Sequence, residues 1–277
     1  MDIVNTIKEL RDARQGLPAP VGFVPTMGYL HEGHLSLVRH ARSENAAVVA
    51  SIFVNPTQFG PQEDFQQYPR DTQRDLDLLA GEKTDLVFMP EAAEIYPTDF
   101  STWVDVEKVT EPLEGAVRPG HFRGVTTVVA KFFTLVAPDV AYFGQKDAQQ
   151  AIVIRKMATD LNMNLKVVTL PTVREEDGLA MSSRNIYLNP EERQAATILF
   201  KSVCLAERLY EEGKRDSGKI RQEMLKYLQR EPRTQVDYVS IADNETLEEL
   251  DTIKASALVS LAVRIGKTRL IDNIILK

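Results

Sequence analysis

The feature that most constrains the fold is an apolar run at residues 46–54, which reads Ala-Ala-Val-Val-Ala-Ser-Ile-Phe-Val. Apart from Ser51 the run carries no polar side chain, so it lacks the alternation expected of a strand with one face in solvent. A strand of this kind is buried on both faces, as in a parallel sheet that is covered by helices on either side. The run therefore predicts an α/β fold.

The residues before this run complete a β-α-β unit. Residues 21–24 are apolar and predict a first strand, whereas Leu35, Val38 and Ala41 recur at a spacing of three, which is typical of one face of a helix. A strand, a helix and a second strand within about 35 residues correspond to a parallel pair joined by a crossover helix.

The same alternation of strand and helix continues as far as Pro171. Further apolar segments predict strands at residues 85–90, 140–143 and 165–170. Helical patterns lie between them, at residues 71–81, 125–137 and 148–161. We therefore expect a Rossmann-like domain with a parallel sheet over residues 1–172. An amphipathic helix in residues 1–10 precedes it, and residues 103–106 are expected to add a short edge strand.

The pattern changes after Pro171. A polar connector occupies residues 173–185. It is followed by helical patterns at 190–212 and 217–229 and by strand patterns at 237–241, 257–263 and 268–275. Gly266 and Lys267 separate the last two strands and predict a hairpin turn. Residues 173–277 are thus expected to form a smaller α+β domain that closes over the first.

Composition argues against several classes of protein. A net charge of −7 over 277 residues is unlike the basic surface that nucleic-acid binding requires, although it permits a local basic pocket. The single cysteine, Cys204, excludes an internal disulfide framework and indicates a reducing compartment. No apolar run approaches the length of a membrane span. We expect a cytoplasmic protein that binds neither membrane nor nucleic acid.

The turn between the first strand and the first crossover helix, residues 25–34, reads Pro-Thr-Met-Gly-Tyr-Leu-His-Glu-Gly-His. Unpaired amides and the positive end of the dipole make such a helix start a site for an anion. His31 and His34 bring two imidazoles to the same point, although an ordinary helix cap remains an alternative. A metal site is disfavoured because His40 and His121, interpreted as surface or loop-packing residues, lie in no ligand pattern.

Other polar loops are expected at the same edge of the sheet, because ligands bind at the carboxyl ends of parallel strands. The loop after the apolar run carries Asn55 and Gln58, and the loop after residues 140–143 carries Lys146 and Asp147. The connector adds the hydroxyls and guanidinium of Ser182-Ser183-Arg184. Cations, hydroxyls and amides around a helix start favour polyphosphate chemistry.

Two of these motifs resemble known signatures. His31-Glu32-Gly33-His34 resembles the HxGH signature of the nucleotidylyltransferase superfamily, and Met181-Ser182-Ser183-Arg184 resembles its second, KMSKS-like signature. The resemblance to the pantothenate synthetase (pantoate–β-alanine ligase) family extends along nearly the whole chain. It is carried by FVPTMG from Phe23, FVNPTQFG from Phe53, YPR from Tyr68, FRGV from Phe122 and VREEDGLAMSSRN from Val173. Gln145 departs from the family, in which this position is often Glu.

The resemblance implies a two-step reaction that consumes ATP. The carboxylate of (R)-pantoate would attack the α-phosphate of Mg-ATP, giving pantoyl adenylate and pyrophosphate. The amine of β-alanine would then attack the activated carbonyl, giving pantothenate and AMP. The resemblance also suggests Mg²⁺ as a companion of ATP and a homodimer as the assembly.

The resemblance further implies catalytic roles for four residues. His31 and His34 would contact the ATP phosphates, with His34 a candidate proton donor. Lys146 would stabilise the α-phosphate, and Arg184 would close on the β- and γ-phosphates. The implied ATP-binding set is Met27, Gly28, Tyr29, Leu30, His31, Glu32, Gly33, His34, Gly144, Gln145, Lys146, Asp147, Val173, Met181, Ser182, Ser183 and Arg184.

The acceptor substrates are assigned by resemblance alone. Asn55, Gln58 and Gln150 would surround pantoate, and Gln58 would also touch β-alanine. Asp75 is a candidate for an indirect contact with the metal. No dedicated base for the β-alanine amine is evident.

Two other functions remain open from the sequence. The chain could be a nucleotidylyltransferase that stops at nucleotide transfer, which would need no amine and release no AMP. It could also be a non-catalytic, ATP-sensing or RNA-binding relative of a synthetase. The acidic charge disfavours RNA, and the intact HxGH, Lys146 and Ser-Ser-Arg motifs disfavour a loss of catalysis.

Overall fold

The computed structural model describes residues 1–277, and its larger sheet has six strands that are all parallel. The strands are β1 (Asp2–Val4), β2 (Val21–Thr26), β3 (Ala47–Ile52), β4 (Leu86–Phe88), β5 (Val140–Gly144) and β6 (Lys166–Leu170). Their order across the sheet is β1-β4-β3-β2-β5-β6. The Rossmann-like architecture expected from the sequence is confirmed.

Helices cover both faces of this sheet. They are α1 (Ile7–Gln15), α2 (Glu32–Glu44), α3 (Thr72–Gly81), α4 (Ala92–Ile95), α5 (Glu114–Val117), α6 (His121–Val136) and α7 (Ala148–Asp160). Along β3, Ala47 and Val49 belong to a core cluster shared with α1, α6 and α7. Val48 and Ala50 belong to a second cluster shared with α2 and α3. Successive side chains therefore enter different cores, which explains why the run has no polar face.

The order of the strands reverses at β2, which pairs with β3 on one side and β5 on the other. Open α/β sheets bind ligands at such a switch point, outside the carboxyl ends of the strands. The turn that enters α2 follows β2, Asn55 follows β3, and a 3₁₀ turn at Gln145–Asp147 follows β5. The topology thus gathers these three loops at one edge.

The remaining residues form a smaller α+β unit. Its helices are α8 (Pro190–Ala196), α9 (Ile198–Glu211) and α10 (Ser217–Leu228), and its antiparallel strands are β7 (Thr234–Ala242), β8 (Ala257–Ile265) and β9 (Thr268–Leu276). Gly266 and Lys267 join β8 to β9 as the predicted hairpin. A core of 20 buried residues belongs wholly to this unit. The boundary at residue 172 remains a prediction.

The two units meet at the edge of the parallel sheet where the strands end and the predicted site loops begin. Strand β9 packs against the 3₁₀ turn at Gln145–Asp147 and against another at Ser183–Tyr187. Arg269 of β9 also donates to both carboxylate oxygens of Glu114, over 2.7 and 2.8 Å. The C-terminal sheet is therefore in direct contact with the loops that carry the predicted site.

Three expectations about secondary structure were wrong. Residues 2–4 form an edge strand paired with β4, and the helix begins only at Ile7, after a capping box between Thr6 and Glu9. Residues 103–106 pair with no strand, and the helix expected over 190–212 is divided at Thr197. None of the helices combines the length and apolar character that crossing a bilayer requires.

Candidate active site

The turn before α2 has an unusual backbone. Gly28 has a φ of +81° and Tyr29 a φ of 49°, so two consecutive residues are in the left-handed region. The carboxylate of Asp75, on α3, accepts hydrogen bonds from the amides of Tyr29 at 2.6 Å and Leu30 at 2.7 Å. A Cβ at position 28 would lie 3.0 Å from that carboxylate and would be strained at this φ, so glycine is required. Asp75 thus fixes the turn that enters the helix.

The two histidines cap the helix with their own rings. The Gly33 amide donates to Nδ1 of His31 over 3.1 Å, and the His31 amide donates to Nδ1 of His34 over 3.3 Å. Because Nδ1 accepts in both rings, the proton of each neutral imidazole lies on Nε2. The rings are 4.1 Å apart between centroids. Both histidines therefore offer an Nε2–H donor.

Both imidazoles are neutral at physiological pH. Burial, with help from His34 and Lys146, lowers the pKa of His31 to about 2. Burial and the charge of Lys146 lower the pKa of His34 to about 4. The pair can thus donate hydrogen bonds to an anion without carrying charge, and a nearby polyanion would raise both pKa values.

Lys146 supplies a cation beside the histidines. Its Nζ lies 3.5 Å from Oδ1 of Asp147, the nearest carboxylate oxygen to it, and its side chain is about 20% exposed. Gln145, next to it, turns the other way and donates from Nε2 to Oδ1 of Asn273, over 3.0 Å. Gln145 is therefore a contact to β9, and its side chain does not line the cavity described below.

The connector closes the site from the opposite side. Ser183 Oγ donates to the carbonyl of Tyr29 over 3.1 Å, which joins the connector to the turn before α2. Arg184 donates from Nε and Nη2 to the two carboxylate oxygens of Asp64, at 2.8 Å each, and its guanidinium lies 5.5 Å from the centroid of the Tyr68 ring. Arg184 is thus oriented by a carboxylate and an aromatic ring.

The side chain of Asn55, which follows β3, is buried and hydrogen-bonded to protein groups. Asn55 is 1% exposed, and its Nδ2 donates to Oε1 of Gln58 and to the Gly124 carbonyl, each over 3.1 Å. Its Oδ1 accepts from the hydroxyls of Thr57 and Tyr96, both at 2.9 Å. Asn55 is therefore fully engaged by protein, which makes it a support for Gln58 more than a direct ligand contact.

A cavity of about 200 Å³ brings most of the predicted residues together. Its lining includes Met27, His31, Gly33, His34, Asn55, Gln58, Gly144, Lys146, Asp147, Gln150, Val173, Met181, Ser182, Ser183 and Arg184. It adjoins a cleft of about 1270 Å³ between the parallel sheet and β9, with which it shares Gln58, Lys146 and Arg184. The loop that carries His31 and His34, the loop that carries Lys146, and the Ser182–Arg184 segment thus line one continuous site.

Several predicted residues do not line this cavity with their side chains. Leu30 is fully buried in the core, and Glu32 is paired with Arg39 at the surface. Gly28, Tyr29 and Gln145 also lie outside the lining. Their predicted contacts with ATP would have to come from the backbone.

A model of the pantoate-beta-alanine ligase family matches residues 2–275. The chain belongs to this family.

Individual members of the pantoate–β-alanine ligase family are similar over the full chain. The pantothenate synthetase of Herpetosiphon aurantiacus is 61% identical over 277 residues, which cover all of both chains. The crystal structure of pantothenate synthetase from Thermus thermophilus has a TM-score of 0.95 at 50% identity and covers 99% of each chain. The Francisella tularensis pantoate-beta-alanine ligase, complexed with beta-gamma ATP and beta-alanine, has a TM-score of 0.80 at 34% identity, covering 99% of this chain and 97% of that one.

These similarities decide between the functions that the sequence left open. Pantoate–β-alanine ligases join two substrates in pantothenate biosynthesis, and this chain is an enzyme of that kind. The alternatives of nucleotide transfer alone and of a non-catalytic relative are accordingly set aside.

Sequence reasoning missed the groups that support this ligase site. His121, interpreted above as surface or loop-packing, is 8% exposed, and its Nδ1 donates to the Gln58 carbonyl over 2.8 Å. Arg118 in turn contacts Nε2 of His121 at 3.0 Å and binds Glu63 through two hydrogen bonds of 2.7 Å. The closeness of Arg118 and His121 along the chain, at the start of α6, was the available signal. Asp64 carried none, because only the fold brings it to Arg184.

Proposed function

We propose that the chain activates (R)-pantoate with ATP as pantoyl adenylate and then transfers the pantoyl group to β-alanine. One observation supports this proposal: histidine, lysine, serine and arginine side chains line the same cavity as two glutamine side chains. His31, His34 and Lys146 with the Ser182–Arg184 segment suit a triphosphate, whereas Gln58 and Gln150 suit an acid that carries hydroxyls.

The first step requires charge stabilisation more than proton transfer. The attacking carboxylate is already ionised, and pyrophosphate leaves as an anion, so no proton has to be removed from the nucleophile. Negative charge builds on the α-phosphate, where the Lys146 ammonium would oppose it. The Nε2–H groups of His31 and His34 would bind phosphate oxygens, so His34 acts as a hydrogen-bond donor and not as an imidazolium acid. Arg184 would bind the β- and γ-phosphates with its planar fork.

The remaining contacts to ATP are proposed along the switch point. Backbone groups of Met27 to Gly33 would bind phosphate at the start of α2. Gly144, Asp147 and Val173 would hold the ribose and adenine, with Met181 closing beside them. Mg²⁺ is proposed as part of the Mg-ATP substrate. No group of three or more histidine, cysteine or acidic side chains in residues 1–277 is arranged to hold a metal. The Asp75 carboxylate is occupied by two amides, so any contact of Asp75 with the metal would be indirect.

The second step requires a neutral amine next to the adenylate. A free alkyl ammonium has a pKa near about 10, so most β-alanine arrives protonated at the amine. No side chain is assigned as its base, and orientation within the closed site would supply most of the acceleration. Gln58 is proposed to touch both pantoate and β-alanine, because it lies where the cavity and the larger cleft join.

Three further properties are proposed from the family resemblance. Residues 173–277 would act as a unit that closes over the site, because they carry the Ser182–Arg184 segment. The protein would form a homodimer, and it would work in the cytoplasm. Small-angle scattering with and without ATP and pantoate would test the closure, since equal profiles would rule out a large movement.

One assay tests the reaction as a whole. Labelled pyrophosphate should exchange into ATP only when pantoate is present, and AMP should be released only after β-alanine is added. Folded protein that shows no pantoate-dependent exchange would overturn the proposal.

Two matched pairs of variants test the residue roles. His34→Ala and Lys146→Ala should each lower the exchange rate by orders of magnitude. His40→Ala on the same helix removes a partly exposed ring that pairs with Glu44 and packs edge-on against Tyr142, and Lys156→Ala on α7 removes an exposed side chain that pairs with Asp160. Both variants should leave the rate within about twofold. A near-native rate for either site variant would refute the role given to that residue.

A further inference from the structure

The side chain of Asn273, on β9, binds two successive backbone carbonyls, those of Gln145 and Lys146. Its Nδ2 donates to the carbonyl of Gln145 over 3.0 Å and to that of Lys146 over 2.8 Å. Its Oδ1 accepts from Nε2 of Gln145 over 3.0 Å. Asn273 is 4% exposed, so water does not compete for these bonds.

Asn273 is itself held rigidly. The backbone amide of Asn273 donates to Oδ1 of Asp272 over 2.7 Å, and Asp272 is 1% exposed. Arg174 binds both oxygens of Asp272, at 2.7 and 2.9 Å, and donates to the Gly178 carbonyl over 3.0 Å. Because Arg174 follows Val173 in the connector, one pair of residues on β9 joins the Lys146 turn to the segment proposed to hold adenine.

The ammonium of Lys146 has no comparable support of its own. The nearest carboxylate oxygen to Nζ, that of Asp147, is 3.5 Å away, at the limit of a hydrogen bond. A flexible four-carbon side chain without a strong partner reaches only the positions that its own backbone allows, so a shift of that backbone moves the range open to Nζ. The backbone at Lys146 is a short 3₁₀ turn between β5 and α7, and Asn273 accounts for both side-chain hydrogen bonds to its carbonyls.

We propose that Asn273 is a positioning residue for adenylate formation. By fixing the carbonyls of Gln145 and Lys146, its amide holds Nζ of Lys146 at the place where charge develops on the α-phosphate. The C-terminal sheet thereby contributes to the chemistry although Asn273 itself touches no substrate. The inference rests on the role proposed above for Lys146.

A double-mutant cycle in the pantoate-dependent exchange assay tests this coupling. Asn273→Ala in otherwise native protein should lower kcat by about 10- to 100-fold, the effect of misplacing a catalytic group by about 1 Å. The KM for pantoate should stay within about twofold, because Gln58 and Gln150 are untouched.

The second half of the cycle separates positioning from a structural role. In protein that already carries Lys146→Ala, the Asn273→Ala change should lower kcat by less than about twofold, since no ammonium is left to position. An equal loss in both backgrounds would overturn the proposal and leave the ligase function standing. If Asn273→Ala does not fold, Asn273→Ser, which keeps one donor, replaces it in the same cycle. Absence of exchange in native protein would instead refute the proposed function, and a full rate in Lys146→Ala would refute the role given to Lys146, on which this inference rests.

Discussion

Replacing Gly124 by alanine should damage the proposed pantoate site far more than it damages the fold. Gly124 lies in the first turns of α6, where the helix passes the turn that carries Asn55 and Gln58. A Cβ at this position would lie 2.4 Å from the Thr57 carbonyl oxygen and 2.8 Å from the Gln58 nitrogen. These neighbours are backbone atoms, so no side-chain rotation can relieve the overlap.

The size of the effect follows from the overlap. Ordinary contacts of a Cβ begin near 3.4 Å, so the turn must move by about 1 Å to admit the methyl group. A displacement of this size at a substrate-binding group reduces activity by about 100-fold, equivalent to about 2.7 kcal/mol of transition-state stabilisation. Overpacking costs about 1–3 kcal/mol of the free energy of unfolding, but alanine is preferred to glycine within a helix by about 1 kcal/mol. The net loss of stability should therefore be about 0–2 kcal/mol.

The measurement combines the exchange assay with urea unfolding. Gly124→Ala should lower kcat/KM for pantoate by about 100-fold while the protein stays folded at 25 °C. Gly81→Ala is the matched control, because Gly81 is also helical and a Cβ there would meet nothing within 4 Å. Its activity should be native and its stability unchanged or slightly higher. A folded Gly124→Ala protein with kcat/KM within about threefold of native would refute the reasoning.

Three further predictions follow from single contacts. Arg184→Lys should raise the KM for ATP at least about tenfold, because an ammonium cannot reproduce the forked binding that Arg184 shows with Asp64; an unchanged KM would contradict this. His121→Gln should reduce by about 2 kcal/mol the stability lost between pH 7 and pH 5, measured by urea unfolding. Burial and the charge of Arg118 lower the pKa of His121 to about 4. Between pH 7 and pH 5 the unfolded chain therefore binds a proton at His121 that the folded protein does not bind. An equal loss of stability in the variant and the native protein would contradict this prediction. Gly178→Ala should destabilise by about 2–4 kcal/mol, because its Cβ would lie 1.9 Å from the Phe200 ring at a φ of +91°. The control Gly213→Ala, with a φ of +89° and open space, should lose only about 1 kcal/mol, and equal losses would show that the ring is not the cause.

The parallel sheet was predictable because its signal is local. The apolar run at residues 46–54 indicates by its composition alone that the strand is buried on both faces. Each loop of the candidate site comes directly after a strand whose apolar residues are contiguous in the sequence. The strand at Asp2–Val4 gave no such signal, because three residues are held in place only by pairing with β4, more than 80 positions away. Its sequence continues into a helical pattern, which explains the wrong assignment.

In the candidate site, too, the residues in local motifs were predictable and the residues on distant elements were not. The predicted phosphate-binding residues lie in short motifs at loop starts, and the fold brings them into one cavity. Their supports lie elsewhere: Asp75 on α3 fixes the turn at Tyr29, and Asn273 on β9 fixes the turn at Lys146. Asn273 was not singled out from the sequence, and Asp75 was named by resemblance alone and for a different role, because each support depends on a contact between elements that are distant along the chain. Asn55 was expected to bind substrate, but burial and its protein contacts indicate a supporting role.

The pairing of Arg184 with Asp64 has a consequence for which anions the site accepts. Asp64 is an internal competitor, since it already offers the guanidinium two oxygens at 2.8 Å. A halide ion from solution provides one charge without the matching fork geometry and has little to gain by exchange. A chelated polyphosphate provides several charges on a rigid frame and can replace the carboxylate. Discrimination against small anions would then arise from an acidic residue of the protein, in addition to the basic residues proposed to contact the nucleotide.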